Sequence, residues 1–382
     1  MTDIYVETAW AQMNKRDEEL CGDTVQTTST DDSVIAILSD GLGSGVKASI
    51  LSTLTASIAS GMFSAGATLE ETMETIGSTL PICSERGIAY STLCALQVDK
   101  SGHAFVTEFD VPPVIMFRDG SPVELERTTR TVGKRGLEVK EAHFSVQFGD
   151  YIIAVSDGVI HAGIGGRLRL GLGMDGLADY LQENLRRGQC AREVAAGIID
   201  YCSHLYDGKA GDDTTALVLR MRHLRRSVFA IGPPRDRSRD AAMARRLARF
   251  SGYRGVCGGT TSKMVARELG RTLRVNIDDA SPNQPPTGEI EGIDEVTEGI
   301  MTLTEVMEIL EDGSTGEASE TSEQIARRLL ESDYVEFLVG RAINAAHQNP
   351  DLPFDLTLKQ QIVNRIASGL HDRGKRVEIR YY

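Results

Sequence analysis

Short apolar runs punctuated by Asp, Gly or Pro dominate the first part of the chain. VETAWAQM (6–13), DTVQTTST (23–30), SVIAILSD (33–40), STLCALQVD (91–99), HAFVTEFD (103–110), PVIMFRDG (113–120), YIIAVSDG (151–158) and TTALVLRM (214–221) are β-branched or alternating, which is the pattern of strands. Most follow one another with no helix between them, so antiparallel pairing is expected rather than a βαβ repeat. Apolar residues at three- and four-residue spacing predict helices over 48–61, continued by 69–78, and over 176–205. The fold class read from this part is α+β, an antiparallel sheet core with helices packed outside it.

The texture changes at Ser227. A short strand and a Pro-rich turn (VFAIGPPRDRSRD, 228–240) lead into a helix (241–250), a strand (252–256) and the stretch CGGTTSKMVARELG (257–270). Two polar loops follow, DDASPNQPPTGE (278–289) and EDGSTGEASETSE (311–323), then a helix over 324–347 and a helix–strand pair ending in VEIRYY. Two domains are expected, 1–224 and a smaller α/β domain at 228–382. Length agrees, because the chain has 382 residues and a single core usually stops growing near ~250.

Composition narrows the function classes. Hydrophobic residues make up 41% and charged residues 25%, an ordinary globular balance, and no run approaches the roughly 18 unbroken apolar residues of a membrane span. The opening MTDIYVETAW has neither a basic flank nor an apolar signal core, so a cytoplasmic protein with no membrane partner is expected. Six cysteines without a C-x-x-C pair read as reduced and structural. The net charge of -14 argues against nucleic acid and suits metal cations or basic partners. Basic residues between 220 and 249 read as a domain junction and a solvated helix face, and Lys15 and Arg16 as a solvated loop pair.

Chemistry enters with the acids at strand ends. ILSDGLGSG (37–45) sets Asp40 at the end of an apolar run, SDG returns at 156–158, GDD precedes the strand at 214, and Asp23 opens a strand in CGDTVQ. One Asp-Gly pair is a turn signal. Four such acids brought together would repel one another and raise their pKa values unless cations lay between them, and Mg²⁺ or Mn²⁺ takes such oxygen ligands. Gly41 has no side chain to keep its own carbonyl away from an ion. The stretch GSGVKA (43–48) fits the weak G-x-G-x-x-A dinucleotide pattern but lacks an acid ending a second strand about 20 residues on.

In order and spacing, ELCGDTVQ, ILSDGLGSGVKAS, STLCALQVD, FDVPPVIMFRDG, GDYIIAVSDGV and GDDTTALVL resemble the metal-dependent PPM protein serine/threonine phosphatases. The resemblance is to the bacterial SpoIIE-like branch, typified by the sporulation stage II phosphatase, and spans residues 1–222. It implies a PPM-type antiparallel β-sandwich flanked by helices, with two Mn²⁺ or Mg²⁺ ions per active site. Asp40 would bridge the ions, Asp157 and Asp212 would complete the first site, and Asp23, at a position other branches fill with glutamate, would help hold the second with the carbonyl of Gly41. Asp213 reads as a supporting residue beside a ligand. The implied reaction is hydrolysis of phosphoserine or phosphothreonine on a signalling protein such as an anti-sigma-factor antagonist. A homodimer is compatible with the resemblance. The histidine that animal relatives place two residues after the bridging aspartate is Leu42 here, which leaves the general acid unassigned. His103, His143, His161, His204 and His223 read as structural.

No family match covers the later domain. Its turn at Gly258, Gly259, Thr260 and Thr261, between strand and helix, and a second at Glu298-Gly299 read either as sites for a small anionic ligand or as tight turns with ordinary N-caps. A regulatory domain is expected there. The rival reading of the whole chain is a non-catalytic sensor or binding protein on a phosphatase-like scaffold; retention of every proposed ligand acid favours the enzyme.

Overall fold

The apolar runs pair into two antiparallel sheets. In the computed structural model the described residues are 4–30, 32–79, 91–133, 136–276, 287–297, 299–312, 318–342 and 354–382. The chain divides into two compact units, Met1–His223 and Leu224–Tyr382.

In the first unit the strands are β1 (Ile4–Met13), β2 (Asp23–Ser29), β3 (Ser33–Asp40), β4 (Leu93–Asp99), β5 (His103–Phe109), β6 (Ile115–Arg118), β7 (Ser121–Val123), β8 (Thr128–Val132), β9 (Leu137–Ser145), β10 (Tyr151–Val155) and β11 (Thr214–His223). One sheet runs β1-β11-β10-β6-β7 and the other β2-β3-β4-β5-β9-β8. The helices are α1 (Gly45–Ser64), α2 (Leu69–Thr79), α3 (Asp157–Ile160), α4 (Gly173–Asn184) and α5 (Ala191–Leu205).

β3 explains the layering. Its alternate residues Ala36 and Leu38 enter the core between the sheets with Leu96, Ile152 and Leu217, while Ile35 and Ile37 pack under α1 and α2 with Leu51, Phe63 and Met73. Both faces are covered, so the strand reads as a continuous apolar run. β10 does the same on the other sheet, where Ile153 and Val155 lie beneath α4 and α5. Each fully buried Ile or Leu contributes about 1.5–3 kcal/mol, so this helix–sheet–sheet–helix stack fixes the strand ends firmly.

α1 is long and apolar enough to cross a membrane by length and composition alone. Here it lies on the six-stranded sheet, its small polar residues hydrogen-bonded to β2: Ser52 Oγ is 2.8 Å from Thr24 Oγ1 and Ser60 Oγ is 2.7 Å from Thr28 Oγ1.

Several details differ from what the sequence pattern predicts; besides the short elements β7 and α3, these matter most. Residues 176–205 form two helices, α4 and α5, because the chain turns at 185–190 with Gly188 at φ 87°. β8 and β9 stand where no strand was expected; β8 is the sheet's edge strand and both carry many exposed polar residues, so no apolar run marks them. The helix expected over 324–347 stops at Glu331, and 334–339 is a strand.

That strand belongs to the second unit, made of β12 (Arg226–Ile231), α6 (Asp240–Ala248), β13 (Tyr253–Cys257), α7 (Gly259–Leu269), β14 (Leu273–Asn276), β15 (Thr287–Ile290), β16 (Glu295–Thr297), α8 (Ile300–Asp312), α9 (Glu320–Glu331), β17 (Tyr334–Val339), α10 (Phe354–Asp372) and β18 (Arg376–Tyr381). The sheet order is β14-β15-β16-β13-β12-β17-β18, with β16, β13, β12, β17 and β18 parallel. β12 again divides its residues, Phe229 and Ile231 toward α8, α9 and α10 and Val228 and Ala230 toward α6 and α7. All six residues of β17 are buried, so its pattern has no period to separate it from the helix before it. The smaller domain is therefore a doubly wound α/β sheet. Parts of the polar loops expected at 278–289 and 311–323, residues 343–347 of the expected helix, Cys83 and Glu298 lie outside the described residues.

Candidate metal centre

Strand register gathers the acids at one edge of the sandwich. Asp23, the first residue of β2, sits opposite Asp40, the last of β3. On the other sheet, β1 ends with Met13 opposite Thr214, the start of β11, and β10 ends with Val155 opposite Ala216. Asp157 follows β10 and Asp212 and Asp213 precede β11, so their positions follow from pairing alone.

The glycines between them have steric causes. A Cβ on Gly41 would lie 2.0 Å from the Ala48 carbonyl oxygen, and one on Gly158 would lie 2.1 Å from that of Asp213. Gly41 is thus required for α1 to close on the end of β3, a reason the sequence reading did not contain. The Gly41 N–H donates to the Gly22 carbonyl at 3.2 Å. Asp40 is fixed by its backbone: its N–H donates to Thr92 Oγ1 at 3.0 Å, and its carbonyl accepts from Thr92 N–H at 2.9 Å and Ser91 Oγ at 2.9 Å.

The carboxylates are costly where they are. Asp23 is 4% exposed, and neither of its oxygens has a hydrogen-bond partner of good geometry among the described residues. Burial pushes its pKa up to about 6; the nearby Thr215 and Ser156 hydroxyls moderate the rise, and the charges of Asp213 and Asp157 add to it. Asp40 is pushed to about 9 by burial first, then by Asp23, Asp157 and Asp212. Asp157 is raised by burial and by Asp212, with Asp110 adding repulsion and His161 opposing it; His161 Nδ1 lies 3.8 Å from Asp157 Oδ2.

Asp212 and Asp213 differ in setting. The Asp212 side chain is 40% exposed and meets Lys15 Nζ at 3.3 Å. Asp213 is 4% exposed and its Oδ1 accepts the Lys15 backbone N–H at 2.9 Å, tying the segment after β1 to the start of β11.

Among the described residues no three His, Cys, Asp or Glu side chains are already disposed around one point at ligand distance. The donor chemistry nevertheless fits a divalent cation. A buried carboxylate with both oxygens unsatisfied, beside acids that repel it, is the environment that hard cations with oxygen ligands relieve.

Lys15, Asp110 and His161 all reach this edge, and the sequence reading assigned none of them to it. The sequence pattern alone leaves Lys15 a solvated residue and His161 a structural one; only the pairing of β1 with β11 and the short helix α3 bring them in. The turn at Gly258, Gly259, Thr260 and Thr261 belongs to the second unit, at the junction of β13 and α7.

The raised acids give a pH prediction for the metal-free chain. Between about pH 4 and about pH 9 folded Asp40 holds a proton that the unfolded chain has released. Stability therefore falls as pH rises through that window. Thermal unfolding in chelator should show a lower midpoint at the alkaline end, with a flatter pH profile for Asp40→Asn. Identical profiles for the two proteins would refute this electrostatic account.

The sequence model of stage II sporulation protein E (SpoIIE) matches residues 30–222. No curated relative is found by sequence comparison. Similar solved structures include the phosphatase domain of the cell-fate determinant SpoIIE from Bacillus subtilis, 19% identical, covering 58% of this chain and 95% of that one with a TM-score of 0.46. The RsbU and RsbW domains of a Mycobacterium tuberculosis protein are 20% identical, with 64% and 68% covered and a TM-score of 0.45. RsbX in complex with magnesium is 17% identical, with 58% and 100% covered and a TM-score of 0.41.

Proposed function

The chain belongs to the stage II sporulation protein E (SpoIIE) family, and from that premise we propose that it is a metal-dependent protein serine/threonine phosphatase acting in the cytoplasm. The observation that carries the reading is the buried acid group at the sandwich edge, where Asp40 faces Asp23 across the β2–β3 pairing and is repelled by Asp23, Asp157 and Asp212. In this reading Asp40, Asp157 and Asp212 hold one Mn²⁺ or Mg²⁺, and Asp40, Asp23 and the Gly41 carbonyl a second. Such ions, when bound, lower the pKa of water and neutralise charge on phosphoryl oxygens.

The chain's own residues supply position. The Thr92 and Ser91 hydrogen bonds fix the backbone on either side of the Asp40 side chain, and Lys15 fixes both Asp212, through its ammonium, and Asp213, through its N–H. Four fixed acids at one edge leave the substrate phosphate no route to bind without cations between, because like charges repel. The substrate is a phosphoserine or phosphothreonine on a bacterial signalling protein, an anti-sigma-factor antagonist being the type this branch suggests.

All these acids lie in the first unit, which has its own hydrophobic cores. The second unit regulates or targets the enzyme and supplies none of its chemistry. Residues 1–224 alone should fold and hydrolyse p-nitrophenyl phosphate or a phosphoserine peptide with Mn²⁺ or Mg²⁺ and not in chelator. Metal-independent hydrolysis by the intact chain would refute the phosphatase reading. A folded fragment that cannot bind Mn²⁺ would instead show that the second unit completes the site.

A further inference from the structure

The topology of the second unit places a cleft where ligands bind in sheets of its kind. From β12 the chain steps to β13, runs to the edge at β14 and returns through β15 to β16, all on one side, then crosses over to place β17 and β18 on the other. Connections at this reversal diverge to opposite faces and open a crevice beyond the carboxyl ends of the two strands. A cavity of about 730 Å³ lies there, lined by residues directly following β12 (232–235), β13 (258–261), β16 (299–301) and β17 (Ala342). That volume is typical of a small-molecule site.

Its electrostatics run against those of the whole chain. The protein's net charge is -14, yet among the described residues Arg235, Arg237, Lys263, Arg267 and Lys359 line the cavity against one acid, Asp240. Arg267 is held by Asp240 Oδ2 at 2.6 Å, whereas Arg235, Arg237 and Lys263 make no ion pair among the described residues. On the same wall α7 starts at Gly259 with no side-chain cap, after Gly258 at φ 106°. Its first-turn amides therefore lack intrahelical acceptors and present the positive end of the helix dipole.

A second, independent feature points to more than phosphate. Asp240 lines the cavity, is 4% exposed, and its Oδ1 has no hydrogen-bond partner among the described residues, so a ligand hydroxyl or amine that reached it would satisfy a costly buried acceptor. Ile231, Met264 and Leu303 give the same cavity an apolar part against which a flat ring could lie. A dinucleotide is disfavoured. The turn after β12 reads GPPRD, with two prolines that offer no amide donors, and β13 runs into Cys257-Gly258-Gly259 with no acid for a second ribose.

We propose that this crevice binds a nucleoside phosphate. Its phosphate sits on the first turn of α7 with Arg235 and Lys263, a ribose hydroxyl or base amine donates to Asp240 Oδ1, and the base lies on the apolar lining. The proposal extends the anion-binding turn read from the sequence. It does not depend on the phosphatase reading, since every group lies in the second unit.

Calorimetry on the intact chain in chelator tests it, because neither metal nor hydrolysis in the first unit then contributes. ADP, GDP and CDP are titrated in turn, with adenosine and inorganic phosphate as the separated halves. At least one nucleotide should bind saturably, one per chain, and at least about tenfold more tightly than either half. Arg235→Ala with Lys263→Ala, both on exposed side chains, should weaken that nucleotide by about tenfold or more without shifting the ligand-free melting temperature. Absence of binding by all three nucleotides overturns the proposal, as does unchanged affinity in a well-folded double variant. Phosphate binding as tightly as the nucleotides overturns the nucleoside assignment.

Discussion

Replacing Asp40 with Asn will lower metal-dependent phosphoester hydrolysis by roughly 10³-fold, since bound metal supplies several kcal/mol of charge stabilisation and each ~1.4 kcal/mol is a factor of ten. Asn keeps the shape and leaves the backbone bonds to Thr92 and Ser91 in place, so the strand end should hold its position. What disappears is the carboxylate a cation would draw on and, in the metal-free chain, the cost of holding a proton on Asp40 that the unfolded chain has released. The metal-free variant should consequently be as stable as the wild type near neutral pH, or more so. An inactive but stable protein separates loss of chemistry from loss of fold. An Asp40→Asn enzyme within a few fold of wild type would refute the assignment.

The adjacent pair after Gly211 gives the second large effect. Asp157→Asn and Asp212→Asn should each be nearly as damaging as Asp40→Asn, whereas Asp213→Asn should cost no more than about tenfold. The difference rests on direction. Asp212 and Asp157 contribute to the repulsion that raises Asp40, whereas Asp213 acts on Asp23 and is held by the Lys15 backbone. An Asn at 213 retains an oxygen for that N–H. Residues acting as one unit are non-additive, so Asp40→Asn combined with Asp157→Asn should be little worse than either alone. Initial rates at saturating Mn²⁺ decide the matter. Equal severe loss from Asp213→Asn and Asp212→Asn would show that the wrong residue of the pair had been taken as the ligand.

The acids were legible in the sequence because each closes or opens an apolar run, and a strand end is a local feature. β3 and β10 announced themselves for the same reason: both faces are covered, so nearly every residue is apolar. Where the local pattern was polar, as in β8 and β9, or uniformly buried, as in β17, it carried too little contrast to mark the element. Lys15 and His161 were hidden for another reason. Their place beside Asp212 and Asp157 depends on pairing across some 200 residues and on a one-turn helix, neither of which has a signature at the residue itself. The role of Gly41 is half legible: the missing side chain is visible in the sequence, but the Ala48 carbonyl that needs the space comes from a helix packing over it.

The most direct test of the central claim is a calorimetric titration of Mn²⁺ into the intact metal-free chain, with Asp40→Asn alongside. The account predicts saturable binding of two ions per chain in the wild type, and affinity reduced by roughly 10²-fold or more in a folded Asp40→Asn protein. No saturable binding by the wild type, or binding that the substitution leaves unchanged, would contradict it.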